Sequence, residues 1–294
     1  MEKHALRAIS RKTGCSLLAV CALQQAVSFG AARLPALEEE LRFNVMLVLS
    51  SLTVLAGALL GRKLLRNEMQ EAKGKPCPLF PDIGLLTLAG AALCMAGNFV
   101  AVFVERLAGR AGVEFTGGPE RMTPQSVPGL LLMLLTVGVF PAVAEELLLR
   151  GVILPPLRRF GDGFAVLCTA ALFALLHQNM EQAPMAFVSG LALGWVYVRS
   201  GRLAVPVAVH LWNNAAAVAL MLLPGSAADV YTLGLGLLGM LCLLILYLRR
   251  PAPQKIVCEM PAYRRASNFF FGSAAMVLAL AYFIVVIAMN TRVG

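Results

Sequence analysis

The sequence predicts an all-α polytopic membrane protein with about nine transmembrane helices around a four-helix core, and three observations carry that reading. Hydrophobic residues make up 59% of the 294 and charged residues only 14%, with mean hydropathy +0.77, whereas a soluble domain carries about 25% charged residues. The apolar residues fall in runs long enough to cross a hydrocarbon layer about 30 Å thick. Basic residues alternate between successive connections, as the positive-inside rule requires.

The expected spans follow in chain order. A basic start (Lys3, Arg7, Arg11, Lys12) leads into a first span from Cys15 to about Leu34. The small residues near Ala31 also fit a cleaved signal peptide, but the later topology needs a retained span with the N-terminus cytoplasmic. The second span is Phe43 to Gly61, followed by a basic loop through Lys73 and Lys75 that Pro76, Pro78 and Pro81 close; the third is Ile83 to Val104. Glu105 to Val127, rich in Gly, Pro and both signs of charge, reads as a solvated loop. The fourth span, Leu130 to Pro155, contains Pro141, which removes a backbone hydrogen bond and kinks the helix. The fifth to eighth spans are Phe164 to Met180, Pro184 to Val198, Leu203 to Leu223 and Val230 to Leu248. A basic, proline-containing loop from Arg249 to Arg265 precedes the ninth, Phe269 to Met289.

With the N-terminus inside and Arg150 set aside as intramembrane, eighteen Lys and Arg fall on inside connections and six on outside ones. A multi-pass protein of the bacterial inner membrane fits this asymmetry. The loops also account for the net charge of +9, so no nucleic-acid partner is expected. The seven cysteines are odd in number, scattered and without CxxC pairing, and read as small hydrophobes. Gly57/Gly61 and Gly190/Gly194 have the spacing that lets membrane helices approach closely. The chain divides into N-terminal spans over 1–127, a core over 128–223 and C-terminal spans over 224–294.

The core is set apart by charges in apolar surroundings. Glu145, Glu146 and Arg150 lie within the fourth span, and a charge near the bilayer centre costs on the order of 2.5 to 3.5 kcal/mol on insertion scales. Glu146 and Arg150, at i and i+4, share a helix face and can pair; Glu145 sits about 100° further round the helix. Such a pair can be a packing device alone, but two more polar sets accompany it. Phe173 and His177 lie one turn apart on the fifth span, and His210 and Asn214 one turn apart on the seventh, with Trp212 and Asn213 between them. Two of the three histidines thus lie in the apolar region.

Counted from the inner boundary at 1.5 Å per residue, Glu145 is roughly 20 Å deep, His177 roughly 22 Å, His210 roughly 12 Å and Asn214 roughly 18 Å, so all three helices bring polar groups to mid-membrane. A carboxylate in low dielectric can act as general base to a water, with an imidazole beside it sharing that water or passing the proton on. A second imidazole and an amide suit a developing oxyanion. No Ser, Thr or Cys falls within the three clusters, so hydrolysis of an amide by activated water is the economical chemistry. Glu145, His177 and His210 would also suffice for a zinc ion with water in the fourth position, although no HExxH helix is present; no cofactor is required by the alternative.

The ordered set Glu145-Glu146-xxx-Arg150, Phe173-xxx-His177 and His210-xxx-Asn214 resembles the CAAX protease and bacteriocin-processing (Abi) family of intramembrane proteases over about Pro128 to Leu223. The resemblance implies a catalytic Glu145 acting with His177 on the water, support from Glu146 and Arg150, and oxyanion stabilisation by His210 with Asn214. Phe173, Trp212 and Asn213 are candidate substrate contacts. The implied substrate is a peptide, lipidated peptide or membrane segment. Two other function classes fit the sequence: a non-catalytic scaffold or bacteriocin-immunity protein that binds a membrane partner, and an ion-coupled transporter, which buried carboxylates and broken helices also mark.

Overall fold

A computed structural model describes residues 2–31, 38–72, 83–115, 124, 126–248 and 263–293. The loop prolines 76, 78 and 81, residues 116–123 and 125 of the expected loop over 105–127, and residues 249–262 of that over 249–265 lie outside the described residues. The chain is an all-α integral membrane protein. Its principal helices are α1 (Glu2–Ala31), α2 (Glu39–Leu64), α3 (Ile83–Arg110), α4 (Val127–Phe160), α5 (Asp162–Leu176), α6 (Ala183–Ser200), α7 (Ala204–Leu222), α8 (Gly225–Leu248) and α9 (Ala274–Met289). Six of them, α1 to α4, α7 and α8, are long and apolar enough to cross a membrane; α5 and α9 are shorter apolar helices.

Helix α4 is not uniform. Two wide π-helical turns, Leu134–Val139 and Leu147–Ile153, flank the α-turns Phe140–Glu146, with the Phe140 and Leu154 amides reaching five residues back to Leu135 and Leu149. Each π turn runs up to a proline, Pro141 or the pair Pro155-Pro156. Proline has no N–H to give the carbonyl four residues back and its ring crowds that carbonyl, and a π turn is one way a helix accommodates the break. The two adjacent glutamates therefore sit at the junction of an α and a π segment.

Around α4, the core is closed by α2 on one side and α7 on another; α3 packs against α6, α7 and α8, and α5 packs against α6. Close approach of α5 and α6 rests on Gly190 and Gly194: a Cβ on Gly190 would lie 2.8 Å from the Ala170 Cα, and one on Gly194 3.0 Å from a Val166 methyl. The paired small residues thus do what their spacing permits. Gly57 and Gly61 face Val20 and Ser16 of α1, where the Ser16 hydroxyl donates to the Gly57 carbonyl at 2.6 Å.

Helices α1 and α9 pack together at the flank of the core. The ninth span begins later than the sequence suggests. Phe269 to Phe271 end a separate short helix, Tyr263–Phe271, and after Gly272 the Ser273 hydroxyl caps α9 by accepting from the Met276 amide. Phe269 lies beneath the cations of Lys3 and Arg7, at 5.7 and 5.0 Å from its ring centre, which draws the short helix to the basic end of α1 rather than into the span.

Within the connection after α3, Val113–Phe115 forms a strand, β1, paired antiparallel with β2 (Thr291–Val293) just beyond α9. This ribbon ties the far ends of α3 and α9. Part of the expected loop is therefore structured.

Candidate active site

The site is built on α4 and completed by α5, α6 and α7. Glu146 and Arg150 carry no exposed surface, and the Arg150 Nη1 donates to Glu146 Oε1 at 2.7 Å. The other terminal nitrogen, Nη2, donates to the Gly190 carbonyl of α6 at 2.8 Å. The guanidinium fork thus fixes a carboxylate on its own helix and a backbone oxygen on the next. It also lies over the ring of Phe173, 5.1 Å from the ring centre, a cation–π contact strengthened by the lack of water.

His210, from α7, stands between the two glutamates. Its Nδ1 is 3.1 Å from Glu146 Oε1, and its Nε2 is 3.7 Å from Glu145 Oε2. A carboxylate held by arginine accepts, so the Nδ1 carries the hydrogen. The outer nitrogen then faces the second carboxylate at a distance too long for a direct hydrogen bond. Two acceptors so placed repel unless a proton or a water lies between them. Glu145 is partly exposed, at 19%, against 0% for Glu146.

His177, at the end of α5, does not bond to either glutamate. Its Nδ1 donates to the Phe173 carbonyl at 2.9 Å, because a carbonyl can only accept, which leaves Nε2 as the free ring nitrogen. Its ring meets Phe173 edge to face at 4.9 Å between centres, and Phe173 meets His210 the same way at 5.6 Å. Phe173, buried to 2%, is thus enclosed by both imidazoles and the guanidinium. Its ring is the packing centre of the site, and the substrate role considered for it from the sequence has little free surface to use.

The Asn214 side-chain amide donates to the Val137 carbonyl at 3.0 Å. Val137 lies four residues before Pro141, whose nitrogen has no hydrogen to offer it. Asn214 supplies that missing donor across the helix interface and keeps one amide hydrogen and its oxygen for another partner. Trp212 is 48% exposed, two residues from His210 and therefore on the opposite side of α7; Asn213 is half-buried.

Among the described residues, no group of three or more His, Cys, Asp and Glu side chains is arranged to hold a metal ion. The trio Glu145, His177 and His210 does not converge as a ligand set, and both Nδ1 atoms are taken up by protein acceptors. Two buried atoms of the ion pair, Glu146 Oε2 and Arg150 Nε, make no hydrogen bond among the described residues. Buried polar atoms of this kind normally have a partner, and a water or a substrate amide would provide one.

Sequence reasoning did not find Gly190 as the second acceptor for Arg150, nor His210 as the link between the two glutamates. The small-residue pair on α6 marked the place where a backbone carbonyl comes close, but no residue pattern specifies which side chain reaches it.

Residues 127–216 match the family described as type II CAAX prenyl endopeptidase Rce1-like. The core is thus similar to the CAAX protease and bacteriocin-processing family. The matched stretch runs from the start of α4 through His210 and Asn214 on α7 and so contains every group of the site. Among curated proteins, the chain is similar to a Bacillus subtilis (strain 168) protein named "Putative membrane peptidase YdiL", 26% identical over 136 residues, 44% of this chain and 56% of that one. It is also similar to an Escherichia coli protein named "Uncharacterized 24.3 kDa protein", 31% identical over 139 residues, 44% of this chain and 61% of that one. The chain thus spans less than two thirds of the length of either relative. No solved structure gives a significant match.

Proposed function

We propose that the protein is an intramembrane endopeptidase that hydrolyses a peptide bond with a water activated by Glu145 and the imidazoles. The observation that carries the reading is the row Arg150, Glu146, His210, Glu145: the first two are wholly buried and mutually neutralised, the third is fixed by them, and the last is left partly exposed beside a free ring nitrogen. A carboxylate in that position takes the proton of a water that the imidazole orients. His177, with its Nε2 free, is the second proton acceptor beside the substrate. His210, once its Nε2 has taken the proton of the water from Glu145, and the remaining amide hydrogen of Asn214 donate to the oxyanion as the carbonyl carbon becomes tetrahedral. Proton return to the leaving amine then regenerates the carboxylate.

The substrate class follows from the surroundings of the site and from the family. A carboxylate and two imidazoles among apolar helices suit a peptide presented from within the membrane, whether a lipidated peptide or a membrane segment. Trp212 and Asn213, on the outer side of α7 and beside it, are the substrate contacts to examine first. The mechanism needs no metal. The protein resides in the bacterial inner membrane with its N-terminus cytoplasmic, as the distribution of Lys and Arg supports.

The test is cleavage of fluorogenic peptides and short membrane-segment substrates by the purified protein and by Glu145→Gln, each with and without a strong chelator. Cleavage by the native protein alone, unchanged in chelator, is the expected result. Loss of cleavage in chelator, restored by zinc, would replace the water-activation scheme with a metal one. Equal behaviour of the native protein and Glu145→Gln would overturn the role of Glu145.

A further inference from the structure

From outside the matched core, α1 and α9 both hydrogen-bond to the same core residue, Gln178, directly after His177. Gln178 has φ +57°, the left-handed conformation, and is alone among the described non-glycine residues in having a positive φ. L-residues adopt this region rarely, and it persists where the surroundings dictate it. The surroundings here are three side chains from outside the core. The Gln178 Nε2 donates to Gln24 Oε1 of α1 at 2.6 Å; its Oε1 accepts from the Tyr282 hydroxyl of α9 at 3.4 Å; its backbone carbonyl accepts from the Asn290 amide, at the end of α9, at 3.2 Å. The Tyr282 hydroxyl in turn accepts from Gln25 at 2.5 Å.

The turn that follows is equally tied. Asn179 donates from its side chain to the His177 carbonyl at 2.8 Å, and its oxygen caps the Gln182 amide at 2.8 Å. His177 thus sits where α5 stops, with its ring anchored to Phe173 on one side and its own carbonyl and the next residue held on the other. A rotation of the backbone at 178 would tilt the histidine and redirect its free Nε2.

We propose that α1 and α9 position His177 by holding Gln178 in the left-handed conformation, so that Gln24, Gln178, Tyr282 and Asn290 are positioning residues of the active site. This rests on the peptidase reading for its kinetic consequence, but not for its structural one. It gives the terminal helices, which the family match leaves out, a task in the reaction.

The experiment uses the full chain in detergent with Gln178→Gly, Gln24→Leu and Gln24→Glu. Glycine adopts the left-handed conformation without strain, so Gln178→Gly keeps the backbone accessible and removes only the side-chain tether. The readouts are kcat and KM for peptide cleavage and the ring-nitrogen NMR signals of labelled histidine, which the three histidines of the chain make tractable. We expect Gln178→Gly and Gln24→Leu to lower kcat on the order of tenfold, the scale of a small misplacement, with KM within about twofold. The His177 signals should move while those of His210 stay, and Gln24→Glu, which keeps the accepting oxygen, should restore both. Wild-type kcat and unmoved His177 signals in Gln178→Gly would overturn the proposal. Should Gln178→Gly fail to fold, Gln24→Leu reads the same two quantities. Should the native protein cleave no peptide, the peptidase reading fails on its own, and the His177 signals still decide whether the tether holds that ring.

Discussion

Glu145 and Glu146 are neighbours in the chain and identical in chemistry, yet the fold treats them in opposite ways. Glu146 is wholly buried, with one oxygen shared by Arg150 and His210, while Glu145 is partly exposed and stands 3.7 Å from its nearest polar partner. One helical step, about 100°, separates the two environments. A carboxylate gripped by a guanidinium and an imidazole is an anchor; one left without a donor beside an imidazole is open to a water. Under the proposed function Glu146 is structural and Glu145 chemical, and variants can separate the two.

The largest effect is expected from Arg150→Met. It removes the guanidinium from Glu146 and from the Gly190 carbonyl together and leaves a charge buried without compensation, for which a loss of about 3–5 kcal/mol is typical. Thermal unfolding in detergent should show the loss, and cleavage should vanish with it. Arg150→Lys should recover only part of the stability, because a point charge cannot serve a carboxylate and a carbonyl in the same fork.

Glu145→Gln should give the opposite pattern. The volume is kept and no hydrogen bond is broken, so the unfolding midpoint should stay near that of the native protein, while kcat falls by about 10²–10⁴-fold, the scale of general-base removal. If Glu145→Gln destabilised as much as Arg150→Met, the division of labour between the glutamates would be wrong.

A smaller loss is expected of Gly190→Ala. The added Cβ would meet the Ala170 Cα at 2.8 Å and crowd Phe173 at 3.2 Å, so α5 and α6 must part, at about 1–3 kcal/mol for an overpacked contact. The carbonyl that Arg150 uses moves with α6, and kcat should fall along with the unfolding midpoint.

Much of this site was legible in the sequence, and the rest was not for definite reasons. The ion pair of Glu146 and Arg150 follows from their spacing on one helix, and the meeting of α4, α5 and α7 at similar depth follows from counting residues. The place of His210 does not, because the rotation of α7 against α4 is set by packing between helices. Pro141 announced a break but not its form: two π turns and a donor borrowed from Asn214 are a tertiary solution. The ribbon of Val113–Phe115 with Thr291–Val293 joins segments too short to show a period, and the left-handed Gln178 is imposed by helices more than a hundred residues away in either direction.

Asn214 offers the finest test, since it straddles the two roles that the glutamates divide. Its amide replaces the hydrogen that Pro141 lacks, at 3.0 Å from the Val137 carbonyl, and its second hydrogen is the proposed donor to the oxyanion. Asn214→Ala should cost about 0.5–1.5 kcal/mol, the net worth of one hydrogen bond, together with a fall in kcat. In a Pro141→Ala background the backbone can supply its own donor to Val137, so the stability cost of Asn214→Ala should shrink while the fall in kcat remains. A double-mutant cycle on unfolding and on cleavage separates the two contributions. Relief of both together would make Asn214 a fastening for α4 alone and leave His210 as the sole side-chain donor to the oxyanion.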